Sequence, residues 1–183
     1  MNSEYYKWDY VEFKTYTELQ NYVDKIKNLL IGKTINHIFI SPDYAQTGSY
    51  IQGYDILKDN ENVSIDLFAG PVILKINSHK LLINMPSGSH IQISLDGNFE
   101  ILNEEEIVYT EISSLFSKNV IGNKITDIKI TPITEWEAKA SVTWYSEDVY
   151  GDDMFEQLII ELENGYKFIF CEIFDNTGIF EGT

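Results

Sequence analysis

Apolar residues along this chain recur with two periods, in separate blocks. Leu19, Tyr22, Val23, Ile26, Leu29 and Leu30 recur three and four apart, the spacing of one helical face. Thr17 followed three positions later by Gln20 has capping-box spacing, and Gly32 stands where a C-terminal stop belongs. Beyond it the period falls to two. Strands are predicted at 63–68, 72–77, 80–85 and 91–95, then at 141–145, 158–162, 166–171 and 178–180. Asn164-Gly165, flanked by alternating apolar residues, predicts a type I′ hairpin turn.

The pattern also repeats. Ile31-Gly32-Lys33-Thr34-Ile35-Asn36-His37-Ile38-Phe39-Ile40-Ser41-Pro42 aligns without gaps on Ile121-Gly122-Asn123-Lys124-Ile125-Thr126-Asp127-Ile128-Lys129-Ile130-Thr131-Pro132. A second helical stripe, Ile112, Leu115, Phe116 and Val120, runs into Gly122. Glu104, Glu105 and Glu106 lie at or before its start, where a helix dipole favours negative charge. The hairpin at 74–83 resembles that at 160–169, and Leu95-Asp96-Gly97 matches Phe180-Glu181-Gly182. The expected fold is α+β and mostly β: two diverged repeats, each one helix plus an antiparallel β-meander, over 1–102 and 103–183. Ile38 with Ile40, and Ile128 with Ile130, are expected to be buried, because residues two apart on a strand share a face.

Composition sets the company such a fold can keep. Hydrophobic residues make up 44% of 183, enough for a core. The net charge is −16, and all 13 cations are Lys. Without Arg the chain lacks the planar fork that reads phosphates and base edges, and its field repels polyanions. Direct binding to nucleic acid or an anionic membrane is disfavoured; a basic protein partner is favoured. The charge is also lopsided. Residues 1–91 carry 8 Lys against 10 Asp and Glu, whereas 92–183 carry 5 against 19. The lone Cys171 cannot form an internal disulfide and, within an apolar run, reads as a small core residue. The polar, acidic segment 1–10 does not read as a signal peptide, and no apolar run reaches the length of a membrane span; the expected location is cytoplasmic.

Candidate chemistry is sparse. His37, His79 and His90 share no metal-ligand spacing, so no metal site or cofactor is expected, and His79 reads as a solvated turn residue. Ser87-Gly88-Ser89-His90 places hydroxyls beside an imidazole in sequence, which does not place them together in space. The Tyr- and Gln-rich stretch 43–54 could form a binding loop, but it lacks the glycine spacing of a phosphate cradle. One segment interleaves aromatics and carboxylates without a cation, from Trp144 to Glu156. Trp144, Tyr145 and Tyr150 are candidate anchors of a partner interface, and Glu147, Asp148, Asp152 and Asp153 are candidate steering charges. These features point to a non-enzymatic acidic binding or inhibitor protein for a basic partner, such as an immunity protein neutralising a nuclease-type toxin. A small-molecule or peptide-binding module, and a hydrolase with a Ser/His/Asp site assembled only in three dimensions, are the alternatives.

Overall fold

A computed structural model describes residues 6–13, 16–41, 57–59, 62–67, 69–85, 91–102, 109–115, 119–132, 156–173 and 176–182. The chain enters through a short strand β1 (Tyr6–Trp8) and then the helix α1 (Tyr16–Leu30). The buried side chains of α1 are Leu19, Val23, Ile26 and Leu30, spaced four, three and four. Leu29 falls off this stripe and is exposed, which removes it from the apolar face that its spacing suggests.

Strands follow in the order β2 (Ile35–Ser41), β3 (Leu57–Asp59), β4 (Asn62–Leu67), β5 (Ala69–Ile76), β6 (His79–Asn84), β7 (Gln92–Leu95), β8 (Phe99–Ile101) and β9 (Thr110–Glu111). The second half continues with β10 (Ile125–Pro132), β11 (Glu156–Leu162), β12 (Lys167–Ile173) and β13 (Asn176–Gly182). All pairings between these strands are antiparallel. They build a five-stranded sheet, β7-β6-β5-β2-β9, and a six-stranded sheet, β10-β11-β12-β13-β4-β3. The first half thus lends β3 and β4 to the sheet of the second. The chain is α+β with antiparallel sheets, mostly strand, with one α-helix among the described residues. The predicted strand 141–145 and Glu104, Glu105 and Glu106 lie outside the described residues.

The inward positions of both sheets and the stripe of α1 form one core. Leu74 and Leu81 of the first sheet share it with Leu158, Ile160 and Phe168 of the second. Ile38, Ile40, Ile128 and Ile130 are buried in the same core, as strand periodicity requires. On its outer face the five-stranded sheet carries a second, aromatic cluster. There Ile73 and Leu82 meet Tyr6 and Trp8 of β1, with Phe39, Phe99, Ile101 and Tyr109 packed around them. The β1–β8 ribbon roofs this cluster, with Trp8 opposite Phe99.

Where the two halves meet, the backbone contacts are reciprocal. Gly32 N–H donates to Ile125 O at 2.8 Å, and Gly122 N–H donates to Ile35 O at 2.9 Å. Ile125 N–H donates to Lys33 O at 2.9 Å, and Ile35 N–H to Asn123 O at 3.4 Å. Thr34 and Lys124 form the bridge between them. Gly32 and Gly122 both have positive φ, 77° and 85°. The turns at Asn77 and Glu163 clasp this seam alike. Asn77 N–H donates to Thr34 O and Glu163 N–H to Lys124 O, while Thr34 N–H and Lys124 N–H donate back to Asn77 Oδ1 and Glu163 Oε1.

Two local expectations fail. The stripe before Gly122 gives β9, a 3-10 turn at Ser113–Leu115 and a turn at 119–122; no α-helix lies there among the described residues. Thr110 and Ile112 are β-branched, and Ser113 and Ser114 compete for backbone groups, so the local sequence resists a helix. The edge of β2 captures it instead: Ile112 N–H donates to Ile38 O at 2.8 Å, and Ile38 N–H donates to Ser113 Oγ at 2.9 Å. At 163–165 the hairpin has a three-residue loop rather than a two-residue type I′ turn. Glu161 pairs with Lys167, Gly165 N–H donates to Leu162 O, and Gly165 has a φ of 85° while Asn164 is not at positive φ. One left-handed glycine closing a three-residue loop is the next most common hairpin solution.

Candidate functional site

The interface candidates Trp144, Tyr145, Glu147, Asp148, Tyr150, Asp152 and Asp153 all lie outside the described residues. Their anchorage is described. The chain leaves β10 at Pro132 and returns in β11 at Glu156, and these two residues are register partners. Gln157 pairs with Cys171, and Glu172 with Thr177, so Glu156 and Glu172 stand at the same end of the six-stranded sheet as the connection 133–155.

Nearer the seam, the sheet carries charges that are already paired. Asp127 accepts from Lys27 of α1 and lies 3.1 Å from Lys129 Nζ, while Lys129 donates to Glu161 Oε1 at 2.8 Å. Burial pulls the Asp127 carboxyl upward, but the hydrogen bonds and charges of the two lysines outweigh it and leave its pKa lowered. The Lys129 ammonium is held above its usual range, first by Glu161 and then by Asp127.

Both described histidines bind carboxylates. His37 Nδ1 lies 2.7 Å from Glu111 Oε1, and Ser113 Oγ–H donates to the same oxygen at 2.8 Å. The serine and the imidazole both face the carboxylate, which is not the order of a nucleophile–base–orienter relay. His79 opens β6 instead of lying in a turn, and its Nδ1 lies 2.7 Å from Asp96 Oδ2. Asp96 also accepts from Lys80 N–H at 2.8 Å. Burial raises the Asp96 pKa, but these contacts, led by His79, outweigh it and lower it overall. Among the described residues no cluster of three metal-ligating side chains occurs. Ser87, Ser89, His90 and the stretch 43–54 lie outside the described residues, as does the side chain of Cys171, whose backbone pairs within β12.

The aromatic cluster under the ribbon escapes the sequence pattern, although Tyr6, Trp8 and Tyr10 alternate with polar residues, as do Phe99 and Ile101. Such short strands give too little periodicity to stand out. Among the described residues, the cluster holds two buried polar atoms without a hydrogen-bond partner, Trp8 Nε1 and the Tyr109 hydroxyl. Burial, with a smaller contribution from Tyr6, pushes the Tyr109 phenol well above its ordinary range.

These features define a mostly-β α+β chain of antiparallel sheets, in which no described helix is long and apolar enough to cross a membrane. No family model, curated protein or solved structure matches the chain.

Proposed function

We propose that this chain is a non-enzymatic acidic binding protein for a basic protein partner, of the kind an immunity protein for a nuclease-type toxin represents. The supporting observation is how the sequence distributes its charge over the fold. Asp127 and Glu161 near the seam have lysine partners, whereas the connection 133–155 carries six carboxylates against one lysine and joins the sheet at the end shared by Glu156 and Glu172. A field concentrated at one end steers a basic partner and can raise association rates by roughly 10–1,000-fold at low salt. In this reading Trp144, Tyr145 and Tyr150 anchor the complex, and Glu147, Asp148, Asp152 and Asp153 steer it. A cytoplasmic location belongs to the same reading.

So does an internal duplication. Reciprocal hydrogen bonds at Gly32 and Gly122, the matching clasps at Asn77 and Glu163, and the shared strand order β2-β5-β6-β7 and β10-β11-β12-β13 support two diverged copies of one unit. The bulges at Ile35/His37 and Ile125/Asp127 fall at aligned positions. One copy retains a helix, and the other carries an edge strand and a 3-10 turn near the corresponding place.

The test is association kinetics against a panel of basic nuclease domains, with nuclease activity read in parallel. Neutralising Glu147, Asp148, Asp152 and Asp153 together should slow association and flatten its salt dependence, while Trp144→Ala should speed dissociation. Absence of saturable binding to every basic domain at low salt overturns the class. Binding unchanged by the four neutralisations removes this segment from the interface.

A further inference from the structure

Among the described residues β1 and β8 pair only with each other, and they form a two-stranded sheet apart from the two large ones. An isolated two-stranded ribbon is marginally stable in water, so side-chain packing has to hold this one down. That packing is one-sided. Tyr6 and Trp8 are buried, Lys7 between them is exposed, and the two aromatics rest on Ile73 and Leu82 in a cluster separate from the shared core. The backbone tethers lie at one end of the ribbon. Asp9 N–H donates to Asn98 O, and Val11 N–H donates to Ile93 O. Asp96-Gly97-Asn98 turns the chain from β7 into β8, with Asp96 at a φ of 58° and held by His79 and by Lys80 N–H. Beneath the ribbon, Trp8 Nε1 and the Tyr109 hydroxyl are buried without a hydrogen-bond partner among the described residues, and the Tyr109 ring stands edge-on to Phe99 with centroids 4.7 Å apart. Each unpaired group destabilises the closed arrangement and regains water once it is uncovered. Lifting the ribbon relieves both at once and leaves the shared core intact.

We propose that the β1–β8 ribbon is a strap that swings open as a unit about its tethers at Asp9–Val11 and Asp96–Asn98. Opening hydrates Trp8 and Tyr109 and uncovers Phe39, Ile73 and Leu82 on the outer face of the five-stranded sheet. The core between the two large sheets stays closed, because its residues belong to the other face. Proteins open locally in such cooperative units, and a unit held by few apolar contacts opens at lower free energy than the core. The motion involves no residue of the connection 133–155, so it stands or falls separately from the partner interface.

Hydrogen exchange of the isotope-labelled full-length protein tests it, read by NMR at a series of urea concentrations below the unfolding transition. The reporters are the Asp9 amide and the Trp8 indole N–H on the ribbon, and the Leu82 amide of β6, which has a strand on either side. Asp9 and Trp8 are expected to exchange through one shared opening, at least about ten-fold more populated than the opening that frees Leu82 and less dependent on urea. Tyr109→Phe removes the unpaired hydroxyl and should slow exchange of Asp9 and Trp8 about ten-fold. Leu82 should slow as well, because global unfolding hydrates the same hydroxyl; slowing on the ribbon occurs only if its opening uncovers Tyr109. Asp9 and Trp8 that exchange with the opening equilibrium and urea dependence of Leu82 overturn the proposal, since the ribbon then opens only when the whole chain unfolds. A Tyr109→Phe variant in which Asp9 and Trp8 exchange as fast as in the wild type, or faster, overturns it too.

Discussion

Replacing Gly32 or Gly122 with Ala isolates a backbone effect at the seam. Their φ values of 77° and 85° are left-handed, and an added Cβ would meet no atom within 4 Å at either position. The cost is therefore conformational, about 1–2 kcal/mol for an L-residue held in this region. Relaxing to negative φ is no escape, because Gly32 N–H and Gly122 N–H are tied to Ile125 O and Ile35 O. Losing such a bond costs about 1 kcal/mol. Loss of unfolded-state freedom on replacing Gly offsets part of the strain, by about 0.4–1 kcal/mol where a residue fits. Each variant should therefore lose about 1 kcal/mol, and Asn, which tolerates this region better, should lose less. Urea unfolding followed by fluorescence and circular dichroism reads this as a midpoint lowered by about 0.5 M for a slope near 2 kcal/mol/M. Two variants that differ by more than about 1 kcal/mol would show that the glycines do not hold equivalent turns. Two variants as stable as the wild type would refute the role of left-handed backbone at the seam.

Gly97→Ala should destabilise for the opposite reason, by about 1–3 kcal/mol, because its Cβ would run into Ser94 Oγ and lie 2.8 Å from Asp9 O; near-ultraviolet dichroism should show the ribbon loosened. Ile38→Ala and Ile128→Ala should each cost about 2–5 kcal/mol in urea unfolding, since both side chains are buried in the shared core. Ser113→Ala removes the acceptor of Ile38 N–H and should cost about 1 kcal/mol, with faster amide exchange at Ile38. Asp127 has a folded pKa below the ordinary 3.8, so its contribution is present above that value and is lost as pH falls through the folded pKa. Asp127→Asn should accordingly flatten the acid limb of a stability–pH curve below about pH 4.

The long periodic elements are legible in the sequence, and the reason is packing. Leu19, Val23, Ile26 and Leu30 all face one core, and every strand predicted within the described residues is present, with its ends displaced by up to about three residues. What escapes depends on partners distant in the chain. Residues 110–115 carry an apolar stripe that also fits a helix, and only the open edge of β2 selects the strand and 3-10 turn. The turn at Glu163-Asn164-Gly165 contains the Asn-Gly pair of a two-residue hairpin, but of the two only Gly165 takes left-handed backbone, and Leu162 N–H donates to Tyr166 O across a three-residue loop. His79 reads as solvated from its neighbours alone, because its partner Asp96 lies just past the far end of β7. Trp8 and Phe99 sit on strands far apart in the chain, so no local pattern couples them.

Charge placement follows from the same topology. Elements converge at the seam, and there a surplus of one sign would be costly. Lys27 in the last turn of α1 meets Asp127 on β10, and Lys129, two residues on and therefore on the same strand face, bridges Asp127 to Glu161. A lysine in the last helical turn is also favoured by the helix dipole. Connections between strands carry no such constraint, because they need not bring opposite elements into contact. The acidic surplus is concentrated in them: Glu104, Glu105 and Glu106 between β8 and β9, and six carboxylates between β10 and β11. Acidity serving solubility alone has no reason to collect in two connections of the second half while the first half stays near neutrality. The basic partner proposed above would supply a reason for the acidity of the connection 133–155, and the four-carboxylate neutralisation separates the two accounts: solubility would fall under both, but association with a basic domain would slow only under the second.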